Sequence, residues 1–235
     1  MMLLAAAFLC ACSSKFSPDK VFPAGPARSI AYLAETNSVP DPLPADLSQG
    51  LNLVGRYELT PLLWAVKNDN VRPATLAILV RNGADPFYYS KTQLTSPLLH
   101  SLNYGPLDEF KALVSSAKQI DQPQAWNPHE PTLLFSAVAN RDLAKLQAVV
   151  KAGAKLEKTN DLGETPLLYA GTGQLNIMLY LLRAGANARA RDSYGHDVCD
   201  NVNWLHYNTP ERQRELDAVL SELQTKGIAC KRKSR

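Results

Sequence analysis

The sequence predicts an all-α solenoid of stacked helix pairs, and three observations predict it. The segments GRYELTPLLWAV (55–66), TQLTSPLLHSLNYG (92–105), HEPTLLFSAVANRD (129–142) and LGETPLLYAGTG (162–173) superimpose on Thr60, Ser96, Thr132 and Thr165, at steps of 36, 36 and 33 residues. Each is followed by an apolar stretch at helical spacing, and three of the four stretches end in glycine: LAILVRNGADP (76–86), LQAVVKAGAKL (146–156) and LYLLRAGANAR (179–189). The second copy ends VSSAKQI, with Ala117 where the others have Gly83, Gly153 and Gly185. Finally, each helix pair carries an apolar face that it cannot bury alone, so copies must stack, and at least three are needed. With 235 residues, 46% of them apolar, the chain can build that core.

From the start, Met1 to Cys12 is an uncharged apolar run, short of the ~20 residues that cross a bilayer, and it reads as a signal segment. The stretch Leu9-Cys10-Ala11-Cys12 resembles the bacterial lipoprotein signal, in which an aliphatic and two small residues precede an invariant cysteine. Cys12 fits that place, with Ala11 before it; Cys10 does not, because bulky Leu9 would precede it. The resemblance implies removal of residues 1–11, acylation of Cys12, and an outer-membrane destination, since Ser13 and not Asp follows the cysteine. The expected Lys or Arg before the apolar run is missing. Residues 12–26, including SSKFSPDKVFPAGP, read as a flexible tether reaching on the order of 20 Å.

Residues 27–225 are the repeat domain. Its first copy is degenerate: a helix-like ARSIAYLAET, a proline-rich insertion Val39-Pro40-Asp41-Pro42-Leu43-Pro44 and a turn at Gly50-Leu51-Asn52. Four clear copies follow, then a degenerate last one from Asp192, where SYGHDVCDNVNWL places Gly195 and Asp197 as Gly163 and Thr165 stand before it. Terminal copies are atypical because their outer faces meet water. A helix is expected around Glu211–Gln224, and residues 226–235, ending Lys231-Arg232-Lys233-Ser234-Arg235, read as a solvated basic tail.

The clearest copy, Gly163-Glu164-Thr165-Pro166-Leu167-Leu168, resembles the ankyrin repeat, with its Gly-x-Thr-Pro-Leu-His helix start and its Gly-Ala-Asp-like turn after a Leu-rich second helix. Threonine caps the first helix, and proline sits in its first turn, where no amide hydrogen is needed. Glycine after the second helix accepts a left-handed conformation. The histidine usual after the leucine is replaced by Leu63, Leu99, Phe135 and Leu168, so the hydrogen bonds it makes between repeats are absent. Those four positions are expected in the core, with apolar packing holding the copies together.

Removal of residues 1–11 discards Cys10 and acylation consumes Cys12, which leaves Cys199 and Cys230. Outside the reducing cytoplasm a disulfide between them is expected, closing a loop of about 30 residues and fastening the last helix onto the stack.

Little in the sequence suggests chemistry. His100, His129, His196 and His206 match no metal spacing. Gly171-Thr172-Gly173 lies between helices instead of after a strand, so it reads as a turn and not a phosphate loop. His196-Asp197 has no accompanying nucleophile. No catalytic residue, metal or cofactor is expected, and a net charge of +3 gives no sign of nucleic acid binding.

Binding is the expected use. The resemblance places Trp64, His100, Ser136 and Tyr169 on the concave side of the stack, and the turns carry Phe87-Tyr88-Tyr89, Trp126 and Arg189-Ala190-Arg191 with Tyr194. Aromatic and arginine side chains dominate interface energetics, so these are the candidate contacts. Small lipoproteins with ankyrin-like repeats resemble immunity proteins that neutralise lipid-degrading effectors delivered by type VI secretion. The expectation is therefore a monomer, lipid-anchored and periplasm-facing, that binds such a lipase or phospholipase; the alternative is a scaffold for an envelope complex.

Overall fold

The computed structural model describes residues 17–123, 127, 129–171, 173–203 and 209–230. Residues 1–16, with Cys10 and Cys12, as well as Trp126, Thr172, His206 and the basic residues 231–235, lie outside the described residues. Helices make up the regular structure among those described, and none is long and apolar enough to cross a membrane. The chain divides into two compact units, residues 1–118 and 119–235.

Each copy starts its first helix where threonine and proline dictate. The hydroxyls of Thr60, Ser96 and Thr165 accept from the backbone N–H groups of Leu63 (3.2 Å), Leu99 (3.2 Å) and Leu168 (3.4 Å). Proline at the next position needs no acceptor. The third copy differs because its proline precedes the cap, as Pro131-Thr132. There the Phe135 N–H donates to the Thr132 carbonyl, and the buried Thr132 hydroxyl has no partner among the described residues.

The first unit holds α1 (Pro18–Val21), α2 (Pro26–Glu35), α3 (Ala45–Ser48), a 3-10 turn (Arg56–Glu58), α4 (Pro61–Val66), α5 (Pro73–Arg81), α6 (Pro97–Asn103) and α7 (Leu107–Ser116). The first helices form one row, with α2 on α4 and α4 on α6, while α5 lies on α7 in a second layer. Leu62, Leu63, Leu76, Leu79, Leu98, Leu102 and Phe110 are fully buried between the layers. Here the structure moves the expected start of the domain. Residues 17–26, placed in the tether, are folded: α1 packs on α2, and Val21 and Phe22 are each 1% exposed.

The second unit holds α8 (Leu133–Asn140), α9 (Leu143–Lys151), α10 (Pro166–Tyr169), α11 (Leu175–Arg183), α12 (Val198–Asn203) and α13 (Pro210–Thr225). Again the first helices form a row, α8 on α10 on α12, and α11 packs on α13. The last copy starts as its register implies: the Asp197 carboxylate accepts from the Cys199 N–H at 2.9 Å, and Asp200 accepts in return from the Asp197 N–H at 3.0 Å. Cys199 is joined to Cys230 by a disulfide. Residues 226–230 are therefore attached to the domain and not solvated tail, with the Arg189 guanidinium donating to the Gly227 carbonyl as well.

Gly83, Gly153 and Gly185 take φ of +107°, +93° and +99°, the left-handed region that ends the second helix of each copy. Ala117 cannot follow them cheaply. It leaves α7 in an extended conformation, and the left-handed position moves to Gln119 (φ 56°), where the two units divide.

Cohesion between copies departs from the purely apolar expectation. Leu63, Phe135 and Leu168 are buried as expected, but Leu99 is only half-buried. Polar side chains add bonds from copy to copy at the turns. Asn37 donates to the Asn70 carbonyl and accepts from the Arg72 N–H and the Thr75 hydroxyl. Asn52 donates to the Gly83 carbonyl and accepts from the Asp85 N–H. In the second unit Asp121 accepts from the Lys155 N–H, Glu157 from the Asn187 N–H, and Asn201 donates to the Leu168 carbonyl. The proline-rich insertion is held likewise, by Asp41 against Arg81 and Asn82.

Asn37 also sits at φ 54°, a conformation asparagine tolerates better than most residues. Asn37→Ala removes three bonds and adds backbone strain, and it should destabilise the protein by about 2 kcal/mol in urea unfolding. Cys199→Ser should lower stability by about 3 kcal/mol through the loss of its loop closure. An unchanged melting transition on reduction would contradict a stabilising bond.

Candidate partner-binding surface

The eight turn residues and four helix residues singled out in the sequence fall into three groups. Trp64, at 5% exposure, Ser136, at 3%, and Phe87, at 8%, are buried. On α4 all of Pro61–Val66 is buried, and on α8 all of Leu133–Val138. His100, Tyr88, Tyr89, Tyr169 and Ala190 are half-buried, and Arg189, Arg191 and Tyr194 are exposed. Trp126 lies outside the described residues.

On the row of first helices, the first unit presents Tyr32 from α2 and a tilted ring pair at the end of α6. The His100 and Tyr104 rings lie 5.1 Å apart, one helical turn along, and Tyr104 is 74% exposed. Burial pushes the His100 imidazole down to about 4, and the nearby positive charge of Lys67 acts in the same direction. At neutral pH the His100 ring is therefore uncharged. In the second unit Tyr169 tilts against the buried Phe135 at 5.5 Å, and burial raises its phenol above the ordinary value.

The turn tips form the other exposed element. Tyr57 stands three residues before the Thr60 cap, and Tyr194 three before the Asp197 cap, so the two occupy equivalent tip positions in different units. Beside Tyr57 lie Leu53 and Val54, each about half exposed, and Leu94 from the next copy, 72% exposed. Neighbouring tips are tied together: Glu58 accepts from the Thr92 N–H at 2.8 Å, and the Gln93 amide donates to the Tyr57 carbonyl. Those bonds hold Tyr57, Glu58 and Leu94 at positive φ.

The last tip is rigid for a different reason. The Asp192 carboxylate accepts from the N–H groups of Tyr194 and His196 and meets the His196 ring, bonds that outweigh its partial burial and lower its carboxyl below the usual range. Arg191 pairs with Asp197 at 2.7 Å and also donates to the Gly195 carbonyl. Both arginines of Arg189-Ala190-Arg191 are thus engaged within the chain, while Tyr194 projects at 72% exposure.

Tyr104, Tyr57 and Leu94 were not singled out in the sequence. Tyr57 could have been found from Tyr194 by its offset from the cap, whereas the exposure of Tyr104 depends on where α6 ends. Among the described residues no group of three or more His, Cys, Asp or Glu side chains is placed to hold a metal ion. Gly171 and Gly173 lie in a turn, as read from the sequence, and Gly171 also allows close packing, since a Cβ there would lie 2.2 Å from the Asn201 amide.

The ankyrin repeat family model matches residues 162–193, the copy whose motif is clearest in the sequence. No curated protein matches the chain. Solved structures do. An ankyrin repeat domain from Acinetobacter baumannii AYE superimposes with a TM-score of 0.58 at 22% identity, covering 85% of this chain and 97% of that one. The ankyrin repeat domain of Bcl-3, a member of the IkappaB protein family, gives 0.57 at 18% identity over 87% and 90% of the two chains. The ankyrin repeat protein EF0377 gives 0.55 at 19% identity over 86% and 98%. The fold is therefore the ankyrin-repeat solenoid of helix pairs.

The buried imidazole sets a pH dependence. His100 titrates near 4 in the folded chain against about 6.5 when unfolded, so its contribution is fully present above pH 6.5 and is lost as pH falls toward 4. Urea unfolding should show a loss of about 2 kcal/mol from this group between pH 7 and pH 4.5. His100→Gln should flatten that slope, and an unchanged slope would mean that the ring is already solvated.

Proposed function

We propose that this protein is a lipid-anchored binding module facing the periplasm, and that its partner is a secreted lipid-degrading enzyme held inactive by the complex. In that reading it is an immunity protein against an effector delivered by type VI secretion. The observation that carries the binding role is the set of exposed aromatic and aliphatic side chains on rigid supports: Leu94 on a tied tip, Tyr194 on a hydrogen-bonded turn, and Tyr104 tilted against His100. Rigid aromatic groups contribute contact area with little loss of conformational freedom on binding.

The location rests on Leu9-Cys10-Ala11-Cys12 and is supported by the Cys199–Cys230 bond, which suits an oxidising compartment. An acylated Cys12 would hold the module at the surface on which lipases and phospholipases act. Covering the entrance to an active site needs shape and apolar contact and no chemistry in the module itself, which agrees with the lack of any catalytic constellation in the sequence.

Affinity capture with the tagged full-length chain from cells that deliver such effectors tests the reading. It should recover a one-to-one complex in which lipase activity is abolished. Tyr104→Ala and Tyr194→Ala should each weaken that complex by about tenfold with helix content unchanged. Trp64→Ala, by contrast, should lower stability, since its ring is buried. Recovery of envelope-assembly proteins alone, without a lipase, would favour the scaffold role instead.

A further inference from the structure

A cleft of about 610 Å³ opens at the start of the first unit, lined by Asp19, Lys20, Arg28 and Arg56, with Val21 and Phe22 at its base and Val54 at its edge. Three cations thus face one carboxylate, and that carboxylate is already engaged by the hydroxyls of Ser17 and Tyr32. Arg28 is fixed in place because its Nε–H donates to the Phe22 carbonyl at 2.8 Å, and a guanidinium has further N–H donors to offer. The walls are held close by Gly55: a Cβ there would lie 2.6 Å from the Phe22 ring and 2.7 Å from the Val21 carbonyl, so only glycine lets the turn approach α1 this closely.

What surrounds the cations narrows the ligand. Arg56 is flanked by Leu53 and Val54, 51% and 50% exposed, and by Tyr57, 48% exposed. Exposed apolar and aromatic side chains mixed with basic ones suit the interfacial layer of a bilayer, where rings sit at headgroup depth and each cation is drawn to anionic lipid. Ser17, at the lip of α1, is five residues from Cys12, a reach of at most about 17 Å.

We infer that this cleft docks the phosphate of an anionic phospholipid headgroup, with Lys20, Arg28 and Arg56 around the phosphate and Leu53, Val54 and Tyr57 entering the interfacial layer. The placement of the cleft beside the bilayer rests on the acylated Cys12 proposed above. Seating this end on lipid leaves α6, at the other end of the row α2–α4–α6, with His100 and Tyr104 clear for a partner.

The test uses full-length chain carrying Cys12→Ser, so that no acyl group contributes, and vesicles of phosphatidylcholine with or without phosphatidylglycerol. The apolar amino-terminal run contributes alike to both compositions, and the ratio of the two affinities reads the cleft. Phosphatidylglycerol should tighten binding, and Lys20→Gln with Arg56→Gln should reduce that preference roughly thirtyfold, at about fivefold per basic side chain. Lys111→Gln with Lys118→Gln, which removes equal charge from the exposed far end of the same unit, should leave most of it. Equal losses in the two double variants would overturn the proposal, since net charge would then explain the preference. Inorganic phosphate that binds to the same cations and abolishes the preference at millimolar concentration would overturn the lipid assignment in favour of a free anion. Neither partner nor acylation enters the measurement, so an absent lipase complex or an unmodified Cys12 would leave its outcome standing.

Discussion

No helix pair in this chain can bury its own apolar face, and the rest of the structure depends on that constraint. α10 has four residues, α4 six and α8 eight, lengths at which an isolated helix does not persist in water. Yet Leu62, Leu133 and Leu167 are at most 1% exposed. Each of them is covered by the helices of the adjoining copies, and a fully buried leucine contributes about 2 kcal/mol. The folded length of each helix is therefore set by what its neighbours can cover, with the capping hydroxyl and the proline fixing only where it begins.

Polar groups then decide which copies adhere and in what register. Asn37, Asn52, Asp121, Glu157 and Asn201 each reach backbone groups of the next copy or the preceding one. These bonds lie mostly at exposed turns and are directional, so they fix the register of the stack more than they add attraction. The break between the units falls where the second copy lacks its glycine, with the left-handed position displaced from 117 to Gln119.

Much of this was legible in the sequence because it is local. The cap at Thr60, Ser96 and Thr165, the left-handed glycines at 83, 153 and 185, and the carboxylate cap at Asp197 are each dictated by a residue's own chemistry. The exposure of a side chain is not local, and there the reading failed in part. Trp64 and Ser136 share the register of His100 and Tyr169, yet they are buried where the other two are only half-buried. Tyr104 and Leu94 are exposed because of where a helix ends and how a tip is tied, which no single copy reveals. The folded start at Pro18–Val21 was hidden by a composition of proline, serine and glycine that also suits a linker, until Val21 and Phe22 are seen to close the end of the row.

Function follows from the same division of labour. Side chains that hold copies together are buried or bonded, as Arg189 and Arg191 are, and what remains outside is a small set of aromatic and aliphatic groups on supports that do not move freely. Hydrogen–deuterium exchange on the free, intact chain tests the underlying claim most directly. Mutual dependence predicts that within each unit the amides of the first helices, α4 with α6 and α8 with α10, exchange slowly and at a common rate despite their different lengths, while tips 53–58, 91–95 and 191–196 are resolved as separate kinetic classes. Helices of one unit that open independently, each at its own rate, would contradict it.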